Sequence, residues 1–390
     1  MRIFFSVGEP SGDQHAAHLM HALRANSPEA EFCGFGGPHM QQAGLECLYP
    51  LTDLAVMGIG KVIPLLGKFY NLVHQARQYL KTHRPDAVVL VDFPGFNWWI
   101  ASAAKQEGIP VLYYCAPQLW AWGAWRLSKV RKYVDLVLSV LPFEAEWYAS
   151  RGIPVEYVGH PFFDEVADHP LDATTLRQLQ DDSGRRVAIL PGSRRQEVEA
   201  NFPVMLNVMR NLSQRHPDVR FPVACYKAWH EQRCRELIGE RYQDLPIDLY
   251  TGRTSEVIEA ADCALMVSGS VSLELLARKT PAAVMYRGSW FMWLAGNTLI
   301  TCKYMSLPNL IAGRELMPEF PFAWGVSQAT RQIAERVDAW LTHPDQLEQD
   351  RLSMSNLANQ IVAAGGVNRA AQAILNFLGH TDAVTHRFAA

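Results

Sequence analysis

Asp86-Ala87-Val88-Val89-Leu90-Val91-Asp92-Phe93-Pro94-Gly95-Phe96-Asn97 is the stretch that decides the fold. Its apolar core, with three valines in five residues, is too short for a buried helix and lacks the alternation of a half-solvated strand. It therefore reads as a central strand over 86–91, covered on both faces. Such strands belong to parallel sheets whose crossovers are helices, and 97–107 supplies the next one. The strand ends on a carboxylate, Asp92, at the edge where parallel sheets bind ligands.

The same grammar extends in both directions. Strands are expected over 3–7, 111–115, 136–140 and 155–158, and helices over 14–25, 97–107 and 143–151. Pro85 and Pro154 sit just before strands, where proline is tolerated. After Gly159-His160-Pro161 a polar stretch, 164–185, reads as a linker with a short helix. The pattern then restarts with a strand at 186–190, a helix at 196–215 and a strand at 221–225. Further strands follow at 249–250, 263–267 and 282–285, then a helical stretch over 326–378 and a frayed end over 381–390. The expected fold is α/β: two Rossmann-like parallel-sheet domains facing a central cleft, with a helical C-terminal tail. The expected boundaries are 1–163, a linker at 164–185, 186–345, and the tail at 346–390.

Composition narrows the function classes. A chain of 390 residues exceeds one ordinary core and suits two domains. With 49% hydrophobic and 19% charged residues it is globular, and its net charge of −3 gives no reason to expect nucleic acid. The apolar run 3–7 is shorter than a signal-peptide core. The longest uncharged stretch, 108–125, is broken by Pro110, Pro117 and Gly123, so it is not read as a membrane span. Seven scattered cysteines without a CxxC pair read as thiols of a reducing, cytoplasmic compartment.

Three strand-to-helix junctions carry the candidate chemistry. Gly8-Glu9-Pro10-Ser11-Gly12-Asp13 allows close backbone approach, but its two acids suit a sugar hydroxyl better than a phosphate. Asp13 has two readings there, a helix N-cap and a ligand group. Leu190-Pro191-Gly192-Ser193-Arg194-Arg195 combines backbone N–H groups, a hydroxyl and arginines at a helix start, which makes an anion site. In Ser268-Gly269-Ser270-Val271-Ser272-Leu273-Glu274 the small residues again admit phosphate oxygens. Glu274 can either bind ribose hydroxyls or complement the helix dipole. Asp92 is the candidate general base, with a helix cap as its alternative. His160 reads as a backbone-bonded residue. No HExxH, Asp-x-Asp or Cys/His cluster is present, so the reading includes no metal and no cofactor.

Taken together, GEPSGD (8–13), GGPHM (36–40), LAVMGI (54–59), VDFPGFN (91–97), PQLWAW (117–122), LPFE (141–144), GHP (159–161), LPGSR (190–194), SGSVSLE (268–274) and SLPNLIAGREL (306–316) resemble the lipid-A-disaccharide synthase family. That family has the GT-B glycosyltransferase fold. The resemblance implies an N-terminal acceptor domain and a C-terminal UDP-sugar domain. It also implies inverting transfer from UDP-2,3-diacylglucosamine to 2,3-diacylglucosamine 1-phosphate, giving a β-1,6 disaccharide and UDP. Carried over by position, Asp92 matches the base, while Arg194, Asn309 and Glu274 match donor positions beside Gly192, Ser193, Ser268, Gly269 and Ser270. Gly12, Asp13, Gln118 and Arg126 are the acceptor- or sugar-binding candidates.

The chain departs from the family pattern at several positions. Pro10 stands where alanine is common, Ser270 where threonine is, and Ala116 and Gln118 where serine is. Gly123 replaces a common arginine, and Arg126 and Lys129 lie near enough to supply that charge. Acylated substrates imply peripheral contact with the cytoplasmic face of an inner membrane, with 54–66 and 290–300 as candidate surfaces, and leave room for a homodimer. The nearest rival is a UDP-sugar epimerase of the same fold, which would need further acid/base residues around a single water-soluble substrate. A nicotinamide oxidoreductase would need GxGxxG after a strand, and no junction has it.

Overall fold

The structure, a computed structural model, describes residues 1–55, 65–181, 184–288 and 302–388. The chain forms two compact units, Met1–Asp164 with Ala364–Ala390, and Glu165–Ala363.

Among the described residues, the first unit holds a seven-stranded parallel sheet. Its strands are β1 Arg2–Val7, β2 Glu31–Gly36, β3 Glu46–Pro50, β4 Ala87–Val91, β5 Val111–Tyr114, β6 Leu136–Ser139 and β7 Val155–Tyr157, in the order 3-2-1-4-5-6-7. β4 is buried along its whole length, as a strand covered on both faces must be. Helices Leu66–His83, Pro94–Gln106 and Leu127–Tyr133 send Leu72, Ala76, Leu80, Ile100, Ala101 and Val130 into one core against the sheet. Order reverses between β1 and β4, and the paired register Val7↔Val91 brings Gly8 and Asp92 side by side there. This is the topological switch point, where a parallel sheet opens to ligand.

The second unit repeats the plan with β8 Val187–Leu190, β9 Phe221–Cys225, β10 Ile247–Thr251, β11 Cys263–Val267, β12 Ala282–Arg287 and β13 Glu319–Phe322. The sheet order is 10-9-8-11-12-13, all parallel. Its switch point lies between β8 and β11, whose register Leu190↔Met266 sets the 191–194 and 268–270 turns next to each other.

Three expectations need correction. The helix expected over 14–25 begins at Pro10, because Glu9 is extended and a proline at the first helical position is already set for the turn. The stretch 164–185 is not a plain linker: helices Pro161–Asp168 and Ala173–Gln180 occupy it, and the Asp172 side chain caps the second by accepting from Thr175 N–H at 2.7 Å. The tail 346–390 is not one body. Helix Pro344–Ile361 stays with the second unit, while Gly366–Phe388 packs on helix Pro10–Asn26 of the first and runs as helix past 381. Asp164 explains the switch: its carboxylate accepts from the N–H groups of Gly365, Gly366 and Val367, capping that last helix. Arg369 adds a 2.8 Å hydrogen bond to the Val158 carbonyl.

All seven cysteines are free thiols. Among the described residues no helix is long and apolar enough to cross a membrane.

Candidate active site

In the first unit the chain leaves β4 through two consecutive left-handed residues, Asp92 (φ 47°) and Phe93 (φ 44°). Non-glycine residues are rarely held there, and each costs on the order of 1 kcal/mol. The strain is held by hydrogen bonds to the Asp92 carbonyl, from Asn97 Nδ2 at 2.8 Å and from the Tyr113 hydroxyl at 2.7 Å. Asn97 is fully buried and also accepts from Ser6 Oγ at 2.6 Å, so it ties β1 to the β4 exit. This bend turns the Asp92 side chain toward the start of helix Pro10–Asn26, where a Cβ on Gly12 would lie 3.1 Å from Asp92 Oδ2. Gly12 thus gives the carboxylate its room.

The Asp92 carboxyl has no hydrogen-bond donor among the described residues. Burial pushes it up to about 6; the nearby His15 pulls it down and Glu9 adds to the rise. An oxygen base with that affinity is ionised at neutral pH yet able to take a proton. His160 is held neutral, near 3, by burial and by the neighbouring His15, and its Nδ1 accepts from Phe162 N–H at 3.2 Å. It stays a backbone-bonded residue.

Asp13 does not cap its own helix, whose N-cap position is Glu9. It is buried, and its two oxygens accept from the N–H groups of Gly37 (2.8 Å), His39 (3.0 Å) and Met40 (3.2 Å). It caps the neighbouring helix Pro38–Gln42 and fixes the GGPHM turn. Gln118 is exposed on the loop after β5. Arg126 folds back over the Trp122 ring at 4.1 Å, and a Cβ on Gly123 would meet its guanidinium at 2.5 Å. The Arg126 charge therefore lies beside position 123.

In the second unit the turn after β8 is closed by a glutamate of the helix it opens. Glu197 Oε2 accepts from the N–H groups of Ser193 (3.0 Å) and Arg194 (3.1 Å), while its Oε1 meets the Arg194 guanidinium at 3.0 Å. Gly192 (φ 109°) is required, because a Cβ there would sit 2.6 Å from Glu197. The Arg194 side chain is 81% exposed, whereas Arg195 lies over the Trp229 ring at 5.0 Å. Ser268 is half-buried, and Gly269 and Ser270 are exposed at the neighbouring turn. Glu274 is buried and shares one oxygen with Arg278 at 3.0 Å.

The Asn309 amide donates to the Met317 carbonyl and to Glu319 and accepts from the N–H groups of Leu316 and Met317, all within 2.8 Å. These four bonds tie it to the 316–319 segment. The expected surface stretches 54–66 and 290–300 fall largely outside the described residues. Of the first, Leu54 is buried and Leu66 exposed.

Sequence reading passed over Glu144, Glu197, Asn97 and Tyr113 as working residues. Glu144 sits inside the LPFE block with no charged neighbour in sequence to draw attention to it. The spacing Arg194-x-x-Glu197 was a visible capping signal.

The family model for lipid-A-disaccharide synthetase matches residues 3–373. The chain is 34% identical to the lipid-A-disaccharide synthase of Idiomarina loihiensis, over 97% of this chain and 98% of that one. It is 38% identical to the Azotobacter vinelandii enzyme of the same name, over 82% and 84%. Similar solved structures include the UDP-GlcNAc 2-epimerase of Neisseria meningitidis bound to UDP-GlcNAc (TM-score 0.63, 14% identity, 97% and 99% coverage). The calicheamicin glycosyltransferase CalG4 is another (TM-score 0.62, 13%, 97% and 98%). At such identities these two show the shared GT-B type of fold and nothing of the reaction, so the epimerase rival rests on fold alone. With a family match over nearly the whole length and two parallel-sheet units of that type, the chain is a glycosyltransferase and belongs to the lipid-A-disaccharide synthetase family.

Proposed function

We propose that the second unit holds the UDP-sugar donor and the first unit the acylated acceptor, with Asp92 as the base. The acceptor's 6-hydroxyl gives its proton to Asp92, its oxygen bonds to the anomeric carbon, and the bond to UDP breaks with inversion. Charge gathering on the leaving diphosphate is met by the N–H groups of Ser193 and Arg194 and by the Arg194 guanidinium. Gly192, Ser268, Gly269 and Ser270 admit the phosphates closely, and the Glu274 oxygen not shared with Arg278 faces ribose. The single observation that carries the reading is Asp92 at the β1/β4 switch point, with a strained backbone and a half-buried carboxyl whose proton affinity is raised. The test is UDP release from UDP-2,3-diacylglucosamine with and without 2,3-diacylglucosamine 1-phosphate. Acceptor-dependent release of UDP with a disaccharide product is expected; isomerisation of the donor without acceptor would overturn the reading.

Peripheral membrane contact belongs to the same proposal. Helices Leu66–His83, Pro94–Gln106 and Leu127–Tyr133 cover one face of the first sheet and contain no Asp or Glu, although the chain as a whole is net acidic. Their exposed cations include Lys68, Lys81, Lys129 and Lys132, and Leu66, Tyr70, Trp99 and Trp125 stand exposed on or beside them. Cations with interfacial tryptophan fit the headgroup layer of an anionic bilayer. The protein is expected to float with vesicles containing anionic phospholipid and to be released by salt. The combined variant Trp99→Ser, Lys81→Glu, Lys132→Glu should lose most of that binding while keeping turnover of detergent-dispersed substrate. Undiminished flotation of that variant would exclude this face.

A further inference from the structure

Glu144 is almost fully buried on helix Pro142–Ala149 just after β6, and no lysine or arginine pairs with it among the described residues. Burial drives its carboxyl up to about 7 against the pull of its hydrogen bonds, and the Asp92 charge adds to the rise. A carboxyl in such a place costs more than an apolar side chain of the same size, so its contacts have to account for it. Two donors face it. The Trp120 indole Nε1 donates to Oε1 at 3.0 Å, and Ser139 Oγ to Oε2 at 2.7 Å. The same helix grips the Trp120 loop twice more. Phe143 meets the Trp120 ring edge-on at 4.7 Å, and the Tyr148 hydroxyl donates to the Pro117 carbonyl at 2.9 Å.

What this helix holds is the segment from Pro117 to Arg126. It leaves the C-terminal end of β5 with Gln118 exposed and ends with Arg126 stacked on Trp122. Its backbone has little regular structure of its own, so side-chain tethers decide where it stands. We propose that Glu144 is a positioning residue for acceptor binding: by holding the Trp120 indole it fixes the 117–126 segment that presents Gln118 and Arg126 to the acceptor. The proposal rests on the reading of those two residues as acceptor-side.

The test compares Trp120→Phe, Glu144→Gln, Glu144→Ala and Arg126→Ala in the full-length protein, measuring KM for donor and acceptor separately, UDP affinity and Tm. Trp120→Phe removes the N–H and keeps the ring against Phe143. Glu144→Gln can still accept from Trp120, and its amide can donate to Ser139 Oγ, which in turn donates to the Leu141 carbonyl 3.0 Å away. Trp120→Phe and Glu144→Ala are expected to raise acceptor KM about tenfold, the scale of losing a hydrogen bond to a charged group. Donor KM and UDP affinity stay near wild type, and Glu144→Gln stays close to wild type in both. Trp120→Phe should add nothing in the Glu144→Ala background, since both remove one contact. An unchanged acceptor KM in Trp120→Phe, with a raised one in Arg126→Ala, overturns the role of Glu144 and leaves the acceptor reading intact. If both KM values rise together with a fall in Tm, the residue is structural only and the proposal fails. If Arg126→Ala is also silent, the acceptor reading of the loop falls and the proposal falls with it. Should Glu144→Ala not fold, Trp120→Phe alone decides.

Discussion

Asp92→Asn is expected to lower turnover about 10²–10⁴-fold, the usual contribution of a positioned base, while donor affinity stays near normal. The substitution is a clean probe because asparagine tolerates the left-handed backbone at this position at least as well as aspartate. The bonds that hold the bend, from Asn97 and Tyr113, go to the backbone carbonyl and survive the change. What is lost is the one oxygen pair that can accept a proton. The pH profile supplies the sign: only the ionised carboxyl is a base, so wild-type kcat/KM should fall as pH drops through about 6 and level off above it. The residual activity of Asp92→Asn should lack that acid limb. Measuring kcat, donor binding and the profile together decides the matter. A variant with near wild-type turnover removes Asp92 from the chemistry, and an unchanged acid limb assigns the titration to another group.

Arg194→Ala is the second large effect. A diphosphate gains charge as the glycosidic bond breaks, so a guanidinium beside it acts more strongly in the transition state than in the ground state. Loss of roughly 2–4 kcal/mol of transition-state stabilisation is expected, with both kcat and UDP affinity falling. Stability should barely move, because the side chain is 81% exposed and its pair with Glu197 is a surface one. Arg194→Lys should recover little, since a point charge does not reproduce a two-pronged planar contact. Arg195→Ala is the control: that side chain is engaged over Trp229 and is expected to matter little for turnover. Calorimetry with UDP alongside steady-state kinetics reads all three. Normal binding and turnover in Arg194→Ala with failure of Arg195→Ala would shift the assignment by one residue. Silence of both would remove the β8 turn from the donor site. The Glu197 carboxylate bears on the same measurement, because a diphosphate reaching the Ser193 and Arg194 N–H groups has to displace it.

Much of the framework was legible before any coordinates. Strands buried on both faces, such as β4, β9 and β11, declare themselves as short apolar runs, and a parallel sheet follows from them. β2, β3 and β13 are not legible in this way. β2 is interrupted by Gly34 and ends on Gly36, β3 begins on Glu46 and ends on Pro50, and β13 carries Pro321, so none makes the apolar run on which strand reading depends. The tail was assigned by continuity along the chain, whereas Asp164 sends its last helix back to the first unit.

Local sequence patterns are enough to read the two α/β halves, the carboxylate at the end of the central strand and the glycine-serine-arginine turn after β8. Each is a local pattern: a run of side chains, a junction, a charge at a helix start. Which polar groups are left for chemistry depends on contacts made by folding. Asp13 and Asn309 are read from sequence as ligand groups; in the fold the Asp13 carboxylate accepts from three backbone N–H groups, and the Asn309 amide bonds backbone of Leu316 and Met317 and the Glu319 carboxylate. Asp92 stays unclaimed because residues far along the chain, Ser6, Asn97 and Tyr113, hold its backbone and leave its carboxyl alone. Glu144 became visible only when Trp120, 24 residues away in sequence, was found donating to it. A hydrogen bond consumes a polar atom wherever its partner comes from, and sequence spacing does not record partners brought together by folding.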